Sequence, residues 1–208
     1  MPGMVAEPFL HAAAAVAPLL RTTELSLRWA QPSALVDFQV SGLAGHLVRA
    51  VSNVERYLSA DVPTGIASMD AVAYFLAAND PETQGPTIRE RGEREAQDGP
   101  ILLADRYDDV RARLASRLPG LPDDQPVLMF NQYVLPLREC LLTRLVELVV
   151  HADDLAVSLG VPTPDPGPAA ADLVVTTLAR LSRERHGTVA VLRALARRER
   201  APSHVAAF

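Results

Sequence analysis

Lysine is absent: all 20 basic residues are arginine. That pattern reads as the codon bias of a GC-rich genome rather than a functional choice. Basic charge is outweighed by 25 acidic residues, so the formal net charge is −5 and the pI near 5.5. Without a phosphate-sized basic field, general nucleic-acid binding is excluded. Cysteine occurs once, at Cys140, which rules out an intrachain disulfide framework and a Cys-rich zinc site. A reducing compartment is expected. Aromatics make up only 5% of the chain and period-2 alternation is sparse, so strand signals are weak. The apolar run Ala12 to Leu20 is too short to span a bilayer, and Glu7 and His11 precede it where a signal peptide would carry basic residues. The expectation is a cytoplasmic protein with neither membrane nor nucleic acid as partner.

What is present is helical periodicity in a chain of 208 residues, long enough to bury a core unaided. A first Ala/Leu-rich helix is expected from about Glu7 to Arg28, perturbed at Pro18. A second runs from Ser41, its expected N-cap, to Leu58, with Leu43, Leu47, Val51, Val54 and Leu58 as its apolar stripe. A third spans Ser68 to Ala78 and stops at Asn79, Asp80 and Pro81. The charged stretch Thr87 to Asp98 reads as a solvated helix face broken at Gly99 and Pro100, and helix resumes over Asp105 to Leu118. After a Pro119–Pro122 loop, a long helix covers Leu137 to Leu159, with Gly160 as its C′ residue. Pro-rich residues follow, then helices over Ala169 to Arg185 and Val189 to Arg200. The expected fold is all-α, an up-and-down four-helix bundle over 1–161, with a stiff linker at 162–168 and a helical extension at 169–208.

Chemistry concentrates in the long helix. Leu141, Leu142, Leu145, Val146, Leu148, Val149, Val150 and Leu155 cover nearly its whole circumference, which is the pattern of a buried helix. Glu147 and His151 lie inside that run, four residues apart and so on one face. A buried carboxylate needs a cation or a full set of donors. A divalent metal with His151 as co-ligand meets that need, as does an Arg144–Glu147 pair or a plain Glu147–His151 hydrogen bond. His46, beside the apolar stripe of the second helix, faces the core, where a lone His is more often a satisfied core residue. His11 has no ligand-spaced neighbour, and His186 and His204 read as surface residues.

The segments around His46-Leu47 and from Arg144 to Leu155 resemble the two metal-ligand segments of the DinB-like superfamily. More closely, they resemble the metal-binding domain of mycothiol-dependent maleylpyruvate isomerases and their actinobacterial relatives. The family pattern is a His-Leu in helix two and Glu-x-x-x-His-x-x-Asp-Leu in the last bundle helix, matched here by His46, Glu147, His151, Asp154 and Leu155. The resemblance implies a four-helix bundle over about Glu7 to Val161, with His46, Glu147 and His151 as ligands of a divalent ion. It also implies a low-molecular-weight thiol such as mycothiol as co-substrate.

Three protein ligands on zinc leave a position open, the catalytic arrangement. Nitrogen and oxygen donors without sulfur also suit nickel, iron or manganese. A thiol entering the open position would lose its proton and attack a small electrophile whose carbonyl the ion polarises, a chemistry of transferases and isomerases. Asp154 and Arg144 are the candidates to support the ligands from behind. Cys140, seven residues before Glu147, either lines the pocket or is a small buried hydrophobe. Asn131, Gln132 and Tyr133 are candidates for pocket hydrogen bonds. Family enzymes carry a second domain that supplies an active-site arginine. Residues 169–208 are too few for such a domain and read as a helical tail packing on the bundle or on a second subunit of a homodimer. Arg193 or Arg197 is its candidate substitute arginine. The reaction therefore stays unnamed, and two other classes stay open: a metal-dependent hydrolase with Asp154 as base, and a non-catalytic binding or regulatory bundle.

Overall fold

The computed structural model describes residues 4–78 and 81–208, with side chains at all of them except 81–86. It is an all-α helical bundle carrying one small hairpin. The elements in chain order are α1 (Ala6–Val16), α2 (Thr23–Arg28), α3 (Val40–Leu58), α4 (Ala71–Ala78), α5 (Pro81–Glu95), α6 (Pro100–Arg117), β1 (Pro126–Met129), β2 (Tyr133–Pro136), α7 (Leu137–Leu159), α8 (Pro168–His186) and α9 (Thr188–Ala196). The expected stop of the third helix at Asn79, Asp80 and Pro81 reaches outside the described residues.

The first expected helix is two. Proline lacks an N–H and blocks continuation, so α1 ends before Pro18 and a 3₁₀ turn at Leu19–Arg21 follows. Thr22 then caps α2, its hydroxyl oxygen accepting from Leu25 N at 3.4 Å. α3 starts one residue before the expected cap. Ser41 lies in its first turn, where the N–H groups of Val40 and Ser41 donate to Gln31 O and Trp29 O instead of to a side chain.

Helix α7 is buried nearly all round from Cys140 to Leu148, as its composition requires. It packs on α3, α1 and α8, and the hairpin rests on it. Its end at Gly160 is as expected, with φ at 68°, the left-handed conformation glycine adopts without strain. The stretch Thr87 to Asp98 is not simply a solvated face. Gly92 and Ala96 are buried, and a Cβ at Gly45 would collide with the Gly92 carbonyl, so α3 and α5 meet backbone to backbone. Two small residues four apart, hidden among charges, make that contact.

The hairpin was not expected at all. β1 and β2 pair antiparallel from Pro126–Pro136 to Met129–Tyr133, and Gln132 N donates to Met129 O across the turn. Phe130 and Asn131 at its tip both have positive φ, 53° and 57°. Two adjacent left-handed residues make the turn whose twist suits a hairpin, but glycine usually supplies them.

Helix α8 lies on α7, α1 and α4. The chain after α9 folds back across it: Ser182 Oγ donates to Val205 O at 2.6 Å and His186 Nε2 to Ala206 O at 2.8 Å. Phe208 meets Phe75 of α4 edge to face. Among the described residues, no helix is long and apolar enough to cross a membrane.

Candidate metal centre

Where α3 and α7 pack together, His46 from α3 faces Glu147 and His151 from α7. Both His46 Nε2 and His151 Nε2 lie 3.2 Å from the same oxygen, Glu147 Oε2. The two imidazole rings stand edge to face, 4.5 Å between centroids. On the far side of His151, Nδ1 donates to Asp154 Oδ2 at 3.0 Å. The three side chains are 15–18% exposed and line an open cavity rather than sealed core.

The charges follow from that geometry. Burial opposes ionisation of Glu147, yet hydrogen bonds from His151 and His46, with the Arg144 charge nearby, hold it well below the usual carboxylate range. Burial also opposes protonation of His151, but hydrogen bonds to Asp154 and Glu147 overturn it and lift the imidazole to about 9. For His46 burial wins, and its pKa is lowered. At neutral pH the ion-free cluster is thus a carboxylate between a cationic and a neutral imidazole.

A divalent ion fits these residues. One ligand atom from each of the three lies within 4.8 Å of the others. Around a tetrahedral ion with bonds of about 2.1 Å, ligand atoms stand roughly 3.4 Å apart, close to the two 3.2 Å separations here. An imidazole whose Nδ1–H is engaged by a carboxylate presents its Nε2 lone pair to a metal, the arrangement Asp154 gives His151. The donors are two nitrogens and one oxygen, with no sulfur.

Above the cluster lies a cavity of about 660 Å³. Leu35, Phe38 and Val150 form apolar wall near the ligands, and Tyr133 and Gln132 line it from the hairpin. Asn131 is exposed at the hairpin tip and is not among the lining residues. Cys140 is fully buried off the cavity, and burial pushes its thiol up to about 12, so it behaves as a small hydrophobe. Arg144 does not pair with Glu147: among the described residues no carboxylate oxygen lies within 4.0 Å of its guanidinium. His11 sits against Gly167, and His186 and His204 meet edge to face near the surface. Arg193 and Arg197 are exposed, while Arg185 of α8 reaches the cavity. Arg49, Arg91, Asn53, Tyr74 and Phe130 also line it. Of these Arg49 and Asn53 carried a sequence signal, falling three and seven residues after His46 on the same helical face.

A family model described as "Mycothiol maleylpyruvate isomerase N-terminal domain" matches residues 9–156. The match ends inside α7, so α8, α9 and the terminal segment lie beyond it. No curated protein and no solved structure matches the chain.

Proposed function

Because the chain belongs to the mycothiol maleylpyruvate isomerase N-terminal domain family, we propose that it is a metal- and thiol-dependent transferase or isomerase. In this reading His46, Glu147 and His151 hold a divalent cation, zinc first among the choices, and a small thiol of the mycothiol type reacts in the cavity with a small electrophile. The observation that carries it is the convergence of the three ligand atoms within 4.8 Å at a cavity of ligand size. A divalent cation held there supplies Lewis acidity, which favours the thiolate over the thiol and polarises a carbonyl.

The chain's own residues do the positioning. Asp154 keeps the His151 proton on Nδ1 and so aims Nε2 into the site. His46, with its lowered pKa, offers its lone pair without first losing a proton, whereas His151 must release one. Leu35, Phe38 and Val150 give the cavity an apolar wall.

Elemental analysis of the native protein tests the reading, followed by the same measurement on His46→Ala. Stoichiometric divalent metal that is lost in the variant is the expected result. Native protein free of metal, with a melting temperature indifferent to chelator, sinks it. A panel of small electrophiles assayed with and without thiol then tests the chemistry: turnover that ignores the thiol removes the transferase and isomerase assignment.

A further inference from the structure

Residues 201–208 follow the 3₁₀ turn at Arg198–Arg200 and form neither helix nor strand. Pro202 has no N–H with which to continue the turn. Among the described residues, no backbone-to-backbone hydrogen bond involves 202–208. Two side chains of α8 hold this segment instead, each donating to one of its carbonyls: Ser182 Oγ to Val205 O and His186 Nε2 to Ala206 O. Ser182 is buried, so its donor comes from the packed side of α8. Ala207 packs against the core.

These anchors set one large ring at the edge of the cavity. Phe208 lines the same cavity as His46, Glu147 and His151, and so does Arg185, the neighbour of the His186 anchor. Phe208 is also 50% exposed, so its ring borders both cavity and solvent. That ring meets Phe75 edge to face, 5.3 Å between centroids, and Phe75 is fully buried in α4. The row of rings continues from Phe75 to Tyr74 at 5.5 Å, and from Tyr74 to Tyr133 of the hairpin at 5.4 Å. Edge-to-face pairs fix the orientation of a ring as well as its contact. Phe75, Tyr74 and Tyr133 fall within the family match at 9–156, whereas Phe208 lies beyond it. Phe208 is thus the outer end of a row backed by core, on a backbone tied down by two hydrogen bonds.

We propose that Phe208 is a specificity-determining residue, its ring bounding the cavity and limiting the size of the group that reaches the ligand cluster. Ser182 and His186 are positioning residues, because they hold the backbone that presents the ring. The proposal rests on the reading of this cavity as the substrate's, but neither on which ion the cluster holds nor on a thiol. Residues 9–156 then do not enclose the site by themselves. A molecule too bulky for the rim has to displace the Phe208 ring from Phe75, which forfeits their contact.

Alkylation of a thiol placed in the cavity wall by Val150→Cys tests the limit. Iodoacetamide is the small reagent and N-(1-pyrenyl)maleimide the bulky one. Chelator-treated protein is used, so that the new thiol has no ion to bind. Cys140 is fully buried, and the chain without Val150→Cys gives the background rate. Taking the ratio of the two rates cancels the reactivity of the thiol itself. Phe208→Ala is expected to raise the bulky rate about tenfold or more. The iodoacetamide rate should change by less than about threefold. Phe208→Trp is expected to lower the ratio of bulky to small, while Ser182→Ala and His186→Ala raise it by smaller factors than Phe208→Ala. Lost stability alone would speed both reagents together. A ratio that stays constant or falls in Phe208→Ala overturns the proposal, as does one that rises in Phe208→Trp. If neither reagent reaches the thiol in any variant, the ring is not what limits passage and the proposal falls. Should Phe208→Ala not fold, the ratios of Phe208→Leu and Phe208→Trp decide on the same terms. Labelling needs no metal, so protein that proves metal-free sinks the metal reading without touching this result. A metal-binding chain whose ratio ignores Phe208 sinks the size limit alone.

Discussion

One turn apart on α7, Glu147 and Arg144 face the same cavity and bury opposite charges in opposite ways. Glu147 is surrounded by partners: two imidazoles share one of its oxygens, and one of those imidazoles is held in turn by Asp154. Arg144 has one hydroxyl and two aromatic rings. A buried charge without a counter-charge costs free energy that a packed apolar side chain would not. Glu147 therefore belongs to a network complete within the chain, apart from an ion. Arg144 has no carboxylate within 4.0 Å among the described residues. Substitutions at the two positions should change stability in opposite directions.

The largest effect is expected at Glu147. Glu147→Ala leaves a cationic His151 beside a void, and breaking a buried pair from one side costs about 3–5 kcal/mol. Urea unfolding of chelator-treated protein measures that loss, and elemental analysis of the same variant should find no retained metal. Glu147→Gln refines the result. A hydrogen-bonded polar core without a metal role tolerates the amide in part, whereas a metal site loses most of its affinity. Normal metal content in Glu147→Gln would remove the carboxylate from the ligand set.

The pH dependence of the ion-free chain follows from the same partners. His151 has its pKa raised to about 9 from an ordinary value of 6.5. Its contribution is therefore complete below pH 6.5 and is lost as pH rises through about 9. Glu147 is depressed, so its contribution is present above its ordinary value of 4.5 and fades only in stronger acid. His46, lowered by burial, subtracts stability on the acid side of 6.5. Chemical unfolding between pH 6.5 and 9 should show falling stability in chelator-treated protein. Metal-loaded protein should show rising metal affinity over the same interval, because binding displaces the His151 proton. A flat profile in ion-free protein breaks the assigned charge state.

Arg144 gives the effect of opposite sign. Arg144→Met replaces a buried cation that has no carboxylate within 4.0 Å among the described residues with a flexible apolar chain of similar length, so the desolvation cost of the cation is relieved and no hydrogen-bonded counter-charge is stranded. The melting temperature of the unliganded variant should rise. A fall equal to that of Glu147→Ala would mean that Arg144 is a structural partner after all, and the contrast between the two positions would disappear.

How much of this was legible in the sequence depends on how local each signal is. The boundaries of α7 were readable because Gly160 and an all-round apolar helix are local facts. Glu147 and His151 stood out because polar groups four apart in that helix need partners. His46 was readable as a ligand only through the family pattern. The hairpin was hidden because Phe130 and Asn131 take positive φ where the usual glycine signal is missing. The contact face of α5 was hidden because Gly92 and Ala96 sit among arginines and glutamates that mask their spacing. Arg193 or Arg197 was the expected substitute arginine of the C-terminal segment, yet it is Arg185 that reaches the cavity. The fold of a tail onto a bundle is set by tertiary contacts such as Ser182 to Val205, which have no short-range pattern.

The smallest expected effect is at Asp154, and it tests whether the order around Glu147 extends beyond the three ligand side chains. Asp154 is not itself a candidate ligand; its Oδ2 lies 3.0 Å from Nδ1 of His151 and accepts the hydrogen bond there. Asp154→Asn keeps the shape but lets the amide present either end to the ring, so the His151 tautomer is no longer specified. Metal affinity should fall about 10–100-fold, the range for such outer partners. The raised pKa of His151 should move back toward its ordinary value, because a neutral amide supports the imidazolium less than the Asp154 carboxylate does. Metal titration by calorimetry measures the first, and the His151 ring-proton shift against pH in ion-free protein measures the second. A merely structural role for Asp154 would alter stability while leaving that titration in place. The combination of weaker metal and a lower His151 pKa therefore marks it as a positioning residue.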